Sequence, residues 1–197
     1  MKKISTVFVR DYSDPKRPVL IAQVNPECQW VLDGEGVATR KYDGTCCLWD
    51  GQRWWTRREV KPGKQRPPGF LEVNLDATTG KTIGWEHAEQ SGFAKALADA
   101  LQGSSVPHPV GTYELVGPQV NGNPESEARH VLRAHADAEV SLDDRDHDLR
   151  DFDAICELVA ALHEAHGWEG LVYHHPDGRM AKMKARDVAQ YRTAVSR

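Results

Sequence analysis

Several things are scarce in this chain, and each scarcity excludes something. The sequence of 197 residues holds four cysteines, Cys28, Cys46, Cys47 and Cys156. None forms a Cys-x-x-Cys pair, so the spacing of a zinc finger or ribbon is missing. Cys46 and Cys47 are adjacent in a predicted strand and face opposite ways, which argues against a bond between them. Together these points suggest thiols in a reducing, cytoplasmic setting. No apolar run approaches the roughly 20 residues that span a bilayer. Behind Lys2 and Lys3 there is no sustained apolar stretch, so no signal peptide is expected. Net charge is small, -4, which excludes a uniformly basic nucleic-acid binder. What remains is a globular composition with 40% hydrophobic and 27% charged residues, which at this length reads as one domain over residues 1–197.

The charge is unevenly placed. Arg53, Arg57, Arg58, Lys61, Lys64 and Arg66 crowd one segment. A local basic stripe can hold phosphates on a molecule that is acidic overall. Asp143, Asp144, Asp146, Asp148, Asp151 and Asp153 crowd another segment and read as a solvated face.

Periodicity and turn residues predict mostly strands, with two main helices among them. Thr6 to Asp11 and Pro18 to Val24 read as strands around a turn at Asp14-Pro15-Lys16-Arg17. Gln29 to Leu32 reads as extended into an Asp33-Gly34 turn. Val37 to Arg40 is a strand. Cys46 to Trp49 and Arg53 to Thr56 flank Asp50-Gly51, a strong hairpin signal. Arg57 to Phe70 reads as irregular, because its prolines and glycines interrupt both helix and central strand.

Farther along, Gly84 to Gly103 contains a helix on which Phe93, Leu97, Ala98 and Leu101 keep helical spacing. Val110 to Val116 is a strand ended by Gly117-Pro118, and Gln119 to Pro124 is a loop. Asp151 to His166 is the second main helix, with Phe152, Ile155, Leu158, Val159 and Leu162 in one stripe and Gly167 as its stop. Gly170 to His174 and Arg179 to Lys184 are strands about a turn, and a short helix covers Asp187 to Thr193. The expected class is α+β, built on antiparallel sheets with flanking helices.

Several charged residues fall on or beside predicted strands, where burial costs heavily unless they are paired. Lys41 lies at a strand end, before Tyr42-Asp43-Gly44-Thr45. Glu114 sits in Tyr113-Glu114-Leu115-Val116-Gly117, and Glu169 in Trp168-Glu169-Gly170-Leu171-Val172. Lys182 and Lys184, two apart on a strand, leave one face together while Met183 points into the core. Two neighbouring ammonium groups make sense with a polyanion between them, such as a triphosphate; an edge strand kept soluble by lysines has the same pattern.

In order, these pieces resemble the covalent nucleotidyltransferase superfamily of ATP-dependent DNA ligases, RNA ligases and mRNA capping enzymes. Lys41-Tyr42-Asp43-Gly44 is similar to its nucleophile motif. Arg57 is similar to the arginine after the following strand, Glu114 to the third motif, Glu169-Gly170-Leu171-Val172 to the fourth, and Lys182-Met183-Lys184 to the fifth. The fifth motif ends a few residues before the last residue, so the OB-fold domain of DNA ligases and capping enzymes is not expected here. The chain thus most resembles small stand-alone RNA ligases.

The resemblance implies a ligase adenylation domain, ATP-grasp-like in its sheets. The activity it implies is joining of RNA 5′-phosphate and 3′-hydroxyl ends through a lysyl-AMP intermediate. Its cofactors would be ATP and Mg²⁺ or Mn²⁺, and the protein would be a monomer. Lys41 would be the nucleophile. Arg40, Asp43, Gly44, Arg57, Glu114, Glu169, Lys182 and Lys184 would bind the nucleotide, and Glu169 would hold the metal. On electrostatics, Arg58, Lys61 and Lys64 are candidates to grip the RNA backbone.

Arg40 directly before the nucleophile departs from the family pattern, as do His174 and His175 after the fourth motif. Those histidines would contact substrate or cap a strand before a turn. No aromatic residue is singled out as an adenine stack: Tyr113, Tyr173 and Trp85 read as core. Rival readings are a GTP-dependent capping-type guanylyltransferase, a DNA nick ligase, and a non-catalytic nucleotide- or nucleic-acid-binding module.

Overall fold

A computed structural model describes residues 3–14, 17–77, 79–104, 107–140 and 151–195. The acidic positions Asp143, Asp144, Asp146 and Asp148 lie outside the described residues. In chain order the strands are β1 Ser5–Thr6, β2 Phe8–Asp11, β3 Val19–Val24, β4 Val37–Lys41, β5 Thr45–Trp49, β6 Trp54–Val60, β7 Leu71–Leu75, β8 Thr82–His87, β9 Gly111–Val116, β10 Val131–Ala134, β11 Gly170–His174 and β12 Met180–Lys184. The α-helices are α1 Gln29–Leu32, α2 Ala94–Gln102, α3 Phe152–His166 and α4 Ala185–Val195. The class is mixed α and β on largely antiparallel sheets, as expected. Among the described residues, no helix is long and apolar enough to cross a membrane.

The chain forms two compact units. The first comprises Met1–Lys3 and Asp43–Ala138, and the second comprises Ile4–Tyr42 and Glu139–Arg197. The boundary near Lys41 falls between Tyr42 and Asp43, inside the Lys41-Tyr42-Asp43-Gly44 tetrad.

In the first unit a six-stranded antiparallel sheet runs β10-β9-β5-β6-β8-β7. The Asp50-Gly51 hairpin forms between β5 and β6. The Asp50 carboxylate accepts from the backbone N–H of Gln52 and Arg53 and from the Trp55 indole, at 2.7, 2.8 and 2.7 Å. Strand alternation splits Cys46 from Cys47. Cys47 packs with Leu97, Ala100, Tyr113 and Leu115 on the face covered by α2. Cys46 packs with Trp55 and Trp85 on the other.

In the second unit the order is β1-β12-β11-β4, with β1 parallel to β12 and the other pairs antiparallel. Strands β2 and β3 form a separate hairpin. The core gathers Val7, Phe8, Leu20, Ile155, Val159, Leu171, Met183 and Val188. The predicted stripe of α3, with Phe152, Ile155, Leu158, Val159 and Leu162, is buried. Asp151 caps this helix by accepting from the Ala154 N–H at 2.8 Å, and Gly167 ends it at φ 71°, a conformation that favours glycine.

Some elements differ from expectation. Gln29–Leu32 is helical rather than extended. The Asn25 side chain accepts from the Glu27 N–H, Pro26 opens a 3₁₀ turn, and that turn leads directly into α1. Local capping outweighed the short apolar run. Arg57 to Val60 is strand, because β6 finds a full partner in β8, and irregular chain begins only at Lys61. Residues 84–87 belong to β8, so α2 starts at Ala94.

All four cysteines are free and buried. Burial pushes the Cys28 thiol up to about 11 and the Cys156 thiol to about 12, so both are poor nucleophiles.

Candidate active site

The second unit brings together three charged residues that the sequence separates widely. In the β4-β11-β12 ladder, Gly170 pairs with Lys41 on one side and with Lys184 on the other. The three positions form one row across three strands, so Lys41 and Lys184 leave the same face. Between them is a glycine, and a Cβ there would lie 2.0 Å from the Met183 carbonyl oxygen. The Glu169 carboxylate sits between the two amines: Oε2 accepts from Lys41 Nζ at 2.5 Å, and Oε1 accepts from Lys184 Nζ. Lys41 Nζ also donates to the Tyr42 carbonyl at 3.2 Å.

The group is well shielded, with side-chain exposures of 18% for Lys41, 14% for Lys184 and 11% for Glu169. Burial pushes the Glu169 carboxyl up, but the adjacent Lys41 and Lys184 charges and hydrogen bonds outweigh it. The net position is below the usual carboxylate range. Lys182 leaves the same face of β12, in the row where it pairs with Val172 and Thr6, while Met183 is fully buried. The alternation expected of Lys182-Met183-Lys184 is present. The carboxylate that Lys41 and Lys184 bracket is the protein's own Glu169.

Arg40, one residue before Lys41, takes the opposite face of β4. Its guanidinium lies over the Tyr42 ring at 4.7 Å and the Trp168 ring at 5.5 Å, and it pairs with Glu139 at 3.6 Å. His174 and His175 lie at the β11–β12 turn. His174 Nε2 meets Thr39 Oγ1 at 3.1 Å, and His175 meets Glu35 and Asp177, each at 2.8 Å.

The first unit carries the remaining residues. Cys46 is the ladder partner of Glu114, and Arg57 is the partner of Trp85. Strand alternation puts Cys46, Glu114, Trp55, Arg57 and Trp85 on one face of the six-stranded sheet. Arg58 takes the opposite face and pairs with Glu86 at 3.9 Å. Burial raises the Glu86 carboxyl, and Arg58 lowers it. Lys61 and Lys64 are exposed on a turn closed by a 3.1 Å bond from the Lys64 N–H to the Lys61 carbonyl.

The Asp43-Gly44 turn is held by Glu114 together with two residues that the sequence did not single out, Asn121 and Glu125. The Asp43 N–H donates to Glu125 at 2.8 Å. The Asn121 amide donates to the Asp43 carboxylate at 3.2 Å and to the Gly44 carbonyl at 2.7 Å. The Gly44 N–H donates to Glu114 Oε1 at 3.2 Å. A Cβ at Gly44 would lie 2.2 Å from the Leu115 carbonyl oxygen, so glycine is required by close approach. Asn121 had one possible signal, its place in an Asn-Gly-Asn turn where it adopts φ 48°. Glu125 and His135 had none, because long-range contacts decide their roles. Tyr113, Tyr173 and Trp85 are all buried.

No protein-family model matches the chain, and no curated protein matches it.

Proposed function

We propose that this chain is an ATP-dependent RNA ligase of the covalent nucleotidyltransferase type, with Lys41 as nucleophile. One observation carries the reading: Lys41 and Lys184 flank Gly170 in a single row and share one shielded carboxylate, Glu169. A lysine on a strand end, held by a carboxylate that a second cation shares, supplies what amine attack on a phosphate needs: a fixed nucleophile, a neighbouring positive charge for the phosphate and a group that can take the amine proton.

In the proposed reaction the neutral Lys41 Nζ forms a bond to the α-phosphorus of ATP. The bond from that phosphorus to the bridging oxygen breaks, and pyrophosphate leaves with the electron pair. AMP then moves to an oxygen of an RNA 5′-phosphate, and the P–N bond returns its electrons to Lys41. A 3′-hydroxyl finally attacks the activated phosphate, losing its proton as AMP departs. Lys182 and Lys184 neutralise phosphate charge, and Asp43 and Gly44 shape the turn after the nucleophile. Glu169, with hard oxygen donors in a shielded setting, would be the residue to hold Mg²⁺ or Mn²⁺. When bound, such an ion supplies further neutralisation of the phosphate oxygens.

The test is intact mass after mixing the protein with ATP and Mg²⁺, with GTP in a parallel tube. An acid-labile gain of one AMP, mapped to Lys41 and absent with GTP, is expected. A GMP adduct would replace this reading with a guanylyltransferase. A starting mass without AMP and no adduct from either nucleotide would leave a binding module.

Joining adds a further expectation. Replacing Lys61 and Lys64 together by alanine is expected to reduce RNA joining at least several-fold more than self-adenylation. The double variant should also flatten the salt dependence of RNA binding, since each phosphate contact contributes to that slope. Equal loss in both steps would remove this turn as an RNA grip.

A further inference from the structure

We propose that Cys46, Glu114 and His135 form a binding site for a thiophilic divalent cation of the zinc class. One ligand atom from each of the three lies within 4.8 Å of the others. His135 Nε2 and Glu114 Oε2 are already 3.0 Å apart. With metal bonds of about 2.3 Å to sulfur and about 2.0–2.1 Å to nitrogen or oxygen, ligand atoms around a tetrahedral zinc sit roughly 3.3–3.6 Å from one another. Small side-chain adjustments therefore close the set.

The ligands come from distant points in the sequence that the sheet makes neighbours. Cys46 on β5 is directly opposite Glu114 on β9, and β10 pairs with the other edge of β9, ending at Ala134 just before His135. No spacing rule could reveal this set, which is why the missing Cys-x-x-Cys pair does not argue against it.

Two further contacts point to a ligand site rather than a chance cluster. His135 Nδ1 meets the Thr112 hydroxyl at 3.0 Å, so the ring is held with Nε2 turned toward Glu114 and Cys46. Glu114 Oε1 accepts the Gly44 N–H at 3.2 Å, which leaves Oε2 on the His135 side. Partners of this kind fix the orientation of metal ligands. Arg133, paired with Glu114 across the ladder, is engaged with Glu127. Cys46 and Glu114 are buried, and His135 is partly exposed, which provides access. A thiol and an imidazole beside a single carboxylate favour zinc over magnesium or calcium. Three protein ligands leave the fourth position of a tetrahedron open.

The test uses the full chain, stripped with a chelator and titrated with Zn²⁺ alone against a chromophoric competitor, with Mg²⁺ as control. One equivalent of Zn²⁺ per chain is expected, undisturbed by excess Mg²⁺. Co²⁺ in its place should show thiolate-to-metal charge-transfer absorption. Cys46→Ser should abolish that absorption, and His135→Ala should weaken binding at least tenfold. Thr112→Val keeps all three ligands but removes the hydroxyl that orients His135, and should weaken binding roughly 10–100-fold. Circular dichroism of each metal-free variant checks that it folds. Absence of stoichiometric Zn²⁺ binding by the folded wild-type chain, or equal binding by folded Cys46→Ser and His135→Ala, would overturn the proposal. Occupancy would take Glu114 from the nucleotide-binding role that the ligase resemblance implies for it. That consequence alone rests on that reading, and because binding is measured without nucleotide, the two can fail separately.

Discussion

Lys41→Arg is expected to abolish the AMP adduct completely while leaving the fold in place. Arginine keeps a positive charge beside Glu169 and can bond its carboxylate with two parallel N–H groups. It cannot become a neutral nucleophile near pH 7, because its guanidinium stays protonated. The substitution therefore separates chemistry from structure better than alanine does. Lys41→Ala should also abolish the adduct, but it takes from Glu169 one of its two cations. Lys184→Ala makes the opposite contrast. It removes the other cation, retains the nucleophile, and should slow adenylation without moving the site of modification. The measurement is intact mass and peptide mapping after ATP and Mg²⁺. An adduct of unchanged yield on the Lys41→Arg protein would end the assignment of Lys41.

Glu169→Gln is expected to destabilise the protein by about 3 kcal/mol near pH 7, the scale for removing one partner from a shielded ion pair. Glutamine preserves shape and one acceptor oxygen, so the loss reports charge. Two ammonium groups would then face one another across Gly170 with no anion between them. The pH dependence has a definite sign. The folded-state pKa of Glu169 is lowered below its ordinary value, so its stabilising contribution is fully present above the unfolded carboxylate pKa of about 4.3. That contribution is lost as pH falls through the lower folded-state value. The gap between wild type and Glu169→Gln should thus be widest at neutral pH and shrink in acid. Urea denaturation at a series of pH values measures it. No gap at pH 7, or a gap that stays constant into strong acid, would show that the carboxylate charge is not what holds the row. This expectation concerns the ion cluster alone and stands whether or not the chain carries AMP.

The same row shows what a sequence can and cannot express. The residues at the site stood out locally: Lys41 at a strand end before Asp-Gly, Glu169 before a glycine and an apolar run, and Lys182 and Lys184 two apart on a strand. The strands β4, β11 and β12 were legible too, since period-two alternation is imposed by the backbone itself. So was α3, where the apolar stripe, the Asp151 cap and the Gly167 stop all agreed. The Gln29–Leu32 helix was misread because four residues hold too little periodicity to outweigh the cap and proline that precede them. Strands β7, β8 and β10 were not singled out. β7 and β10 are partly exposed or short and take much of their stability from neighbours distant in sequence, whereas β8 is buried on both faces and so lacks the alternation that marks a half-buried strand.

By itself, then, the sequence determined, for the strands it revealed, which residue types sit on them and which face each takes, and that charged groups stand where burial demands partners. Only the tertiary structure decided the pairings. Strand register placed Lys41 and Lys184 on either side of Gly170, with Glu169 between their amines, where the sequence pattern pointed to Lys182 beside Lys184. It also set Cys46 against Glu114 and turned His135 toward both. The physical reason is common to both cases. Alternation is a property of one strand, whereas register is fixed by hydrogen bonds between strands far apart in the chain.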